Sequence, residues 1–458
     1  MFFLVALGTG WSQANSGEPP ADTDVQGTIP QAESGPESAP KPVDAAPSSS
    51  LDQWSVKPPP ASSRSFLVAR ISGSEGAESN PSYTSGNSSE ISSVTSLTAN
   101  VNMMKSQRHF ETTIDYLATD TLYSSYGDLG YYNQPLQQLD AGERIRWSRG
   151  QLTFRDALNY SSEGNFGASS FTGAGAGLPS NTGANDFFGA GQFGEVGQAG
   201  YITNTSTVGV TQALTPRSSV SLAGGYSITN YLENDEGLFN SRQVSAQAGY
   251  NYQLTLKDGI GAVYGYQTFN FPGSYFGNEV TNSVQLTYRR RVTGRMDLVL
   301  GVGPELINLS VGTGRQSQFT ATVLASLGYR WKRSTLNLSY NRLMTAGSGY
   351  FAGGISNTAI FSFNRTIFRS WGVTLNGGYT SVSGIGPGAS EVSGSSYQYW
   401  FTGAAIKRRL GRSLSAFASY QFNDENYGCG GSTSCSPAVH PQVALIGFTW
   451  SIRPVRLE

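Results

Sequence analysis

Charge, histidine, cysteine and long apolar runs are all scarce in this chain of 458 residues. Only 13% of the residues are charged and the formal net charge is −1, so the basic surface of a nucleic-acid-binding protein is absent. No internal run of about 18 apolar residues occurs. With a mean hydropathy of −0.27, this excludes membrane-crossing helices. Two histidines and two cysteines leave little from which to build a metal centre. No phosphate loop, metal-ligand cluster or nucleophile motif is found. His109 shares one strand parity with Glu111 and Asp115. With no nucleophile beside it, that cluster reads as a polar wall. The expectation is no enzyme and no cofactor.

Glycine and aromatics, in contrast, are plentiful: 56 glycines, with aromatics at 12%. Small residues on one face of long strands and aromatics on the other would produce that composition in a large barrel. Residues 283–303, SVQLTYRRRVTGRMDLVLGVG, show the pattern. Val284, Leu286 and Tyr288 share one parity, and Leu298, Leu300 and Val302 continue it after the turn Thr293–Arg295. Thr287, Arg289, Arg291, Asp297, Gly301 and Gly303 hold the other. Alternation of this kind makes a hairpin with one greasy face and one small or polar face. A soluble sheet would bury the greasy face, whereas a membrane barrel would turn it to lipid.

The chain divides into three parts. Residues 1–14, MFFLVALGTGWSQA, have the apolar core and small-residue end of a secretory signal. Residues 15–62 are mostly Pro, Ala, Ser, Gly and acid, as in ESGPESAPKPVDAAPSSS. Such a segment buries too little apolar surface to order itself and reads as a disordered acidic tail. From residue 63 to 458 the character is constant. Cys429 and Cys435 lie in the stretch GCGGSTSC, and in an exported protein they are expected to close a small loop disulfide.

Within 63–458, short turns near 105, 148, 215, 256, 293, 332, 369 and 410 alternate with longer Gly/Ser/Asn-rich connections. Every short turn carries Lys or Arg. The long connections and their edges carry many of the acids, including Glu233, Asp235, Glu236, Glu279, Glu391, Asp424 and Glu425. Length and charge sign thus sort the connections into the same two classes. That predicts an up-and-down meander with two chemically different ends. The intervening strands run 11 to 16 residues, against the roughly 9–11 that a tilted membrane-spanning strand needs. Seventeen are counted back from the C-terminus, and SFLVARISGS at 65–74, whose alternation is poor, supplies an eighteenth.

This pattern resembles bacterial outer-membrane β-barrel proteins of the porin-like class. It covers about residues 65 to 454, and the aromatic-rich final strand VALIGFTWSI resembles the last strand of such barrels. The resemblance implies an all-β, transmembrane, antiparallel up-and-down barrel of about 18 strands (16–18), in the bacterial outer membrane behind a disordered N-terminal tail. It also implies that the long connection 162–199 folds inward as a constriction offering Asp186 and Glu195. Lumen parity falls to Glu111, Asp115, Arg289, Arg291, Asp297, Glu305, Arg330 and Lys332, the candidate pore-lining charges. Arg290 and Lys407 have outward parity and read as snorkelling cations. Arg342 and Arg365 fall on the greasy parity too, where a mid-membrane arginine would cost about 2–4 kcal/mol.

Four functions fit to different degrees. A porin-like passive channel for small polar solutes comes first. The alternative is a barrel serving envelope structure or polysaccharide export without general porin activity. A soluble β-propeller would need four short strands per 40 or so residues, where this chain has two long ones. A barrel enzyme lacks its nucleophile. The partners expected are outer-membrane lipid and small polar solutes, with room for a homo-oligomer and for a periplasmic partner of the tail, and no nucleic acid.

Overall fold

The computed structural model describes residues 65–79, 91–124, 132–162, 200–232, 238–272, 276–311, 314–346, 353–385, 396–428 and 440–457. The signal-like segment, the acidic tail, Asp186, Glu195, Cys429 and Cys435 lie outside the described residues. The described residues form strands and their connections. β1 (Phe66–Ser79), β2 (Ile91–Ser106), β3 (Phe110–Tyr123), β4 (Tyr132–Trp147), β5 (Gly150–Ser161) and β6 (Tyr201–Thr215) come first. β7 (Ser218–Tyr231), β8 (Ser241–Gln253), β9 (Asp258–Asn270), β10 (Phe276–Thr293), β11 (Met296–Val311) and β12 (Gly314–Arg330) follow. β13 (Ser334–Thr345), β14 (Gly354–Thr366), β15 (Trp371–Gly384), β16 (Ser396–Arg409), β17 (Leu414–Gly428) and β18 (Gln442–Ser451) complete the sheet. A two-residue strand, β19 (Val455–Arg456), lengthens the seam.

Each strand pairs antiparallel with the next, and β1 closes on β18 from Arg70↔Ser451 to Ser79↔Gln442. β19 continues that seam through Leu67↔Val455. The result is a closed 18-strand up-and-down barrel, with the short basic turns where the sequence places them. The weakly alternating segment at 65–74 is the seam strand β1. Its pairing to β2 runs unbroken from Phe66↔Met104 to Ser79↔Ile91, so two neighbours hold it despite its mixed pattern.

The two faces differ as alternation requires. In the β10–β11 hairpin Leu286 pairs with Val302 and Tyr288 with Leu300, while Thr287 opposes Gly301. Leu286 is 64% exposed and Val302 58%, whereas Thr287 and Glu305 fall to 7% and 3%. Large apolar side chains this open, repeated around the ring, form a surface that only hydrocarbon solvates well. The greasy face of the β10–β11 hairpin therefore points out. Tyr288, Trp331, Trp371 and Trp450 stand on the outer face toward the short turns, and Tyr379 and Trp400 toward the long connections. The Arg408 guanidinium lies 5.2 Å over the Trp371 ring, so a cation at the interface is held by an aromatic. This is an outer-membrane-type β-barrel.

Inside, hydroxyls pair across strands, as in Thr358–Thr380 at 2.8 Å, Thr205–Ser227 at 2.8 Å and Thr98–Thr119 at 3.1 Å. Each such pair contributes a few tenths to about 1 kcal/mol. The inner face is also crowded. A Cβ on Gly303 would collide with the backbone of Val284 and Gln285, so only glycine lets β10 and β11 approach there.

Two outcomes follow from this arrangement. Val284→Arg on the lipid face should destabilise the barrel by about 2–4 kcal/mol, whereas Gln285→Arg on the inner face should leave the urea unfolding midpoint in vesicles nearly unchanged. In the β8–β9 turn, hydrogen bonds from Thr255 and Tyr288 hold the Asp258 carboxyl below its ordinary range. That contribution is present above the ordinary carboxylate pKa and fades as pH falls through the lowered value. Amide exchange in residues 254–258 should therefore accelerate on acidification, and Asp258→Asn should abolish that pH dependence.

Candidate functional site

The inner wall carries most of the barrel's chemistry. Glu111, Asp115, Arg289, Arg291, Asp297, Glu305 and Arg330 all stand on the inward parity of their strands, while Lys332 lies exposed in the β12–β13 turn. Glu111 is buried and bridges Arg144 at 3.1 Å and Arg146 at 2.7 Å. Asp297 receives Arg291 at 3.4 Å and Arg330 at 3.9 Å. Asp115 accepts Asn100 Nδ2 at 2.8 Å and Asn102 Nδ2 at 3.0 Å, and Asn100 Oδ1 in turn accepts Arg70 Nη1 at 3.2 Å. Asp140 pairs with Arg155, whose Nε lies 2.8 Å from Oδ1.

Arg70, Asp140, Arg144, Arg146 and Arg155 were not among the charges that the sequence suggested for the lumen. Their signal was present but weak. In β4 the inward residues Arg144 and Arg146 alternate with Glu143, Ile145 and Trp147, so the outward face itself carries an acid. Register with β3, which sets Glu111 opposite Arg144, removes the ambiguity. A buried carboxylate is tolerated only when paired and hydrogen-bonded, and the neighbouring arginines supply that.

Lys407 corrects the outward reading. It pairs with Phe417, whose strand turns Phe417, Ser419, Gln421 and Asn423 inward, all at most 9% exposed. Lys407 therefore faces the lumen. Arg290 does point outward, near the short turns, 3.8 Å from Asp258. Arg365 lies exposed at the short-turn end of β14. His109 Nδ1 contacts the Arg146 carbonyl at 3.1 Å, and His440 Nδ1 meets Asp424 at 2.9 Å.

Arg342 is explained by a departure from the wall. β12 and β13 pair only as far as Val323↔Arg342, whereas β13 stays paired to β14 up to Thr345↔Gly354. Beyond Arg342 the β13–β14 hairpin leaves β12 and leans into the barrel. Its cross-strand partners Met344 and Ile355 pack on Phe269, Ile307 and Leu309, which lie on the inner faces of β9 and β11. The parity that meets lipid at Leu338 thus meets the inner faces of β9 and β11 at Met344. The freed Met344 N–H bonds the Glu305 carboxylate, and Arg342 stands near that carboxylate with Nη1 2.7 Å from Asn357 Oδ1. Arg342 is therefore not left in hydrocarbon.

The hairpin end also touches Glu279. Gly353 has a φ of +75°, and a Cβ there would run into the Glu279 carboxyl. Glu279 is 1% exposed, with no hydrogen-bond partner for either carboxyl oxygen among the described residues. Elsewhere at this end, Tyr123 donates to Glu78 at 2.6 Å beside Val94 and Leu445. Tyr397 hydrogen-bonds Glu425, and Tyr399 donates to Asn423 at 3.0 Å. Tyr231 and Tyr201, from β7 and β6, lie close enough to act electrostatically on Tyr397 and Tyr399. Side chains from distant strands therefore meet inside the long-connection end.

No family model and no curated protein matches this sequence. Among solved structures, the FrpB iron transporter from Neisseria meningitidis (F5-1 variant, apoprotein) is similar with a TM-score of 0.42 and 7% identity, over 86% of this chain and 82% of that one. The outer membrane protein opdK from Pseudomonas aeruginosa gives 0.39 and 9%, over 84% and 99%. OccAB2 from Acinetobacter baumannii gives 0.39 and 10%, over 85% and 98%. Likenesses this distant assign neither activity nor substrate.

Proposed function

We propose that the protein is a passive outer-membrane channel for small polar solutes, narrowed at its long-connection end by the infolded β13–β14 hairpin. The observation that carries this reading is the combination of a closed 18-strand ring with a polar, charged inner wall. Strands spaced about 4.8 Å apart and tilted by about 40° set the opposite backbones of such a ring roughly 35 Å apart. That width exceeds what wall side chains alone fill, and barrels of this strand number leave an aqueous channel. The hairpin end, seated on Phe269, Ile307 and Leu309, supplies a described obstruction. The connection 162–199, with Asp186 and Glu195, is a second candidate for the same role. The seven inward candidates, Glu111, Asp115, Arg289, Arg291, Asp297, Glu305 and Arg330, act as the charged lining that biases which solutes pass, with Lys332 in the β12–β13 turn at its rim. In the same reading residues 1–14 serve export, and the acidic tail 15–62 is offered to a periplasmic partner.

Conductance of the refolded full chain in a planar bilayer tests the channel. Stepwise currents are expected, and a well-folded barrel that passes none would leave the envelope-structure alternative standing. Gly353→Val should unseat the hairpin by colliding with Glu279 and raise the single-channel conductance. Deleting residues 170–195 should raise it as well if that connection narrows the lumen, and leave it unchanged if the hairpin alone does.

A further inference from the structure

Among the lumen's cations, two sets differ in their partners. Arg144, Arg146, Arg155, Arg291 and Arg330 each hold a carboxylate of the wall. Arg70, Lys407 and Arg409 hold none among the described residues. These three gather near the seam at the short-turn end. Lys407 and Arg409 share the inward parity of β16, and Arg70 faces in from β1. Arg70 and Arg409 are the charges that act on Lys407, and both repel it.

The surface between them is built from small side chains around Phe417. One row across the sheet runs Arg409, Ser415, Thr449, Ser72, the last two with their hydroxyls 3.2 Å apart. The next runs Lys407, Phe417, Gly447, Ser74. The Phe417 ring lies against Gly447, and the Ser415, Thr449 and Ser72 hydroxyls in the neighbouring row are further hydrogen-bond donors on this wall. The group is linked to a wall acid through Asn100, which joins Arg70 to Asp115, and both Asp115 oxygens are already taken by Asn100 and Asn102.

We propose that Arg70, Lys407 and Arg409 form a binding site for a small oxyanion, bearing phosphate or carboxylate oxygens, on the inner wall at the seam. Three like charges held together without a counter-charge repel one another, and an oxyanion relieves all three at once. The guanidinium forks suit two oxygens of such a group, and Lys407 serves as a point charge beneath it. The site rests on the proposed aqueous lumen only in needing water-borne ligand to reach it.

The test is titration of the refolded full chain in detergent with inorganic phosphate, against chloride at matched ionic strength. Saturable phosphate binding is expected, weakened at least tenfold in Lys407→Gln and in Arg409→Gln. Arg155→Gln, at a cation already paired to Asp140, should bind as the parent does. Lys407→Arg should retain most of the affinity. Absence of saturable binding, or equal binding by the parent and both Gln variants, would overturn the site. A propionate series in place of phosphate separates the two ligand sources, since a carboxylate site prefers the former. Conductance recorded on the same preparations keeps the two ideas apart. Current without phosphate binding sinks the site alone, and binding without current sinks the channel alone.

Discussion

Backbone hydrogen bonding across the β1–β18 seam is the constraint from which the rest of the molecule descends. Hydrocarbon offers no partner for a free N–H or C=O, so a sheet in a bilayer survives only if its two edges meet. Here they meet through Arg70↔Ser451 to Ser79↔Gln442. Closure imposes the division of faces, because every strand must then show one parity to lipid and the other to the interior. Ile71, Phe448 and Trp450 on one side of the seam, and Ser72 with Thr449 on the other, are its local expression.

The same constraint locates where the wall may break. From Gly314 to Thr322, β12 has β11 on one side and no β13 on the other. An open edge of that kind is not tolerated within the hydrocarbon, so the last β12–β13 pair, Val323↔Arg342, marks the upper limit of the lipid-embedded wall at this point. Above it the freed backbone finds side chains instead, as Met344 does with Glu305. The infolding is therefore possible only because it begins where lipid ends. It also turns two residues that would be costly in a regular barrel, Arg342 and Asn357, into partners of each other.

This division explains what the sequence could and could not disclose. The β10–β11 hairpin was legible because Leu286, Tyr288, Leu300 and Val302 differ sharply from Thr287, Gly301 and Gly303. The short turns were legible because they carry basic residues at nearly regular spacing. Lys407 was not, since β16 sets Tyr399 and Phe401 inside and Trp400 and Ile406 outside, and Ala404 and Ala405 mark neither face. Only its register with Ser419 and Gln421 of β17 decides. Arg342 was illegible for a different reason. Parity along one strand cannot reveal that the strand has left its neighbour, which depends on the distant residues Phe269, Ile307 and Leu309.

The interior is consequently asymmetric along its axis. Toward the long connections, apolar side chains and buried carboxylates such as Glu279 and Glu305 occupy the space. Toward the short turns the wall is polar, and Arg70, Lys407 and Arg409 pair with no carboxylate among the described residues. A charge in a cleft with low-dielectric walls acts over a longer range than the same charge on an open surface. A solute would thus meet a steric obstacle at one end and an electrostatic preference at the other. In the proposed channel, size selection and charge selection would then fall to different residues on different strands. Neither needs the other's geometry, because the closed ring fixes both.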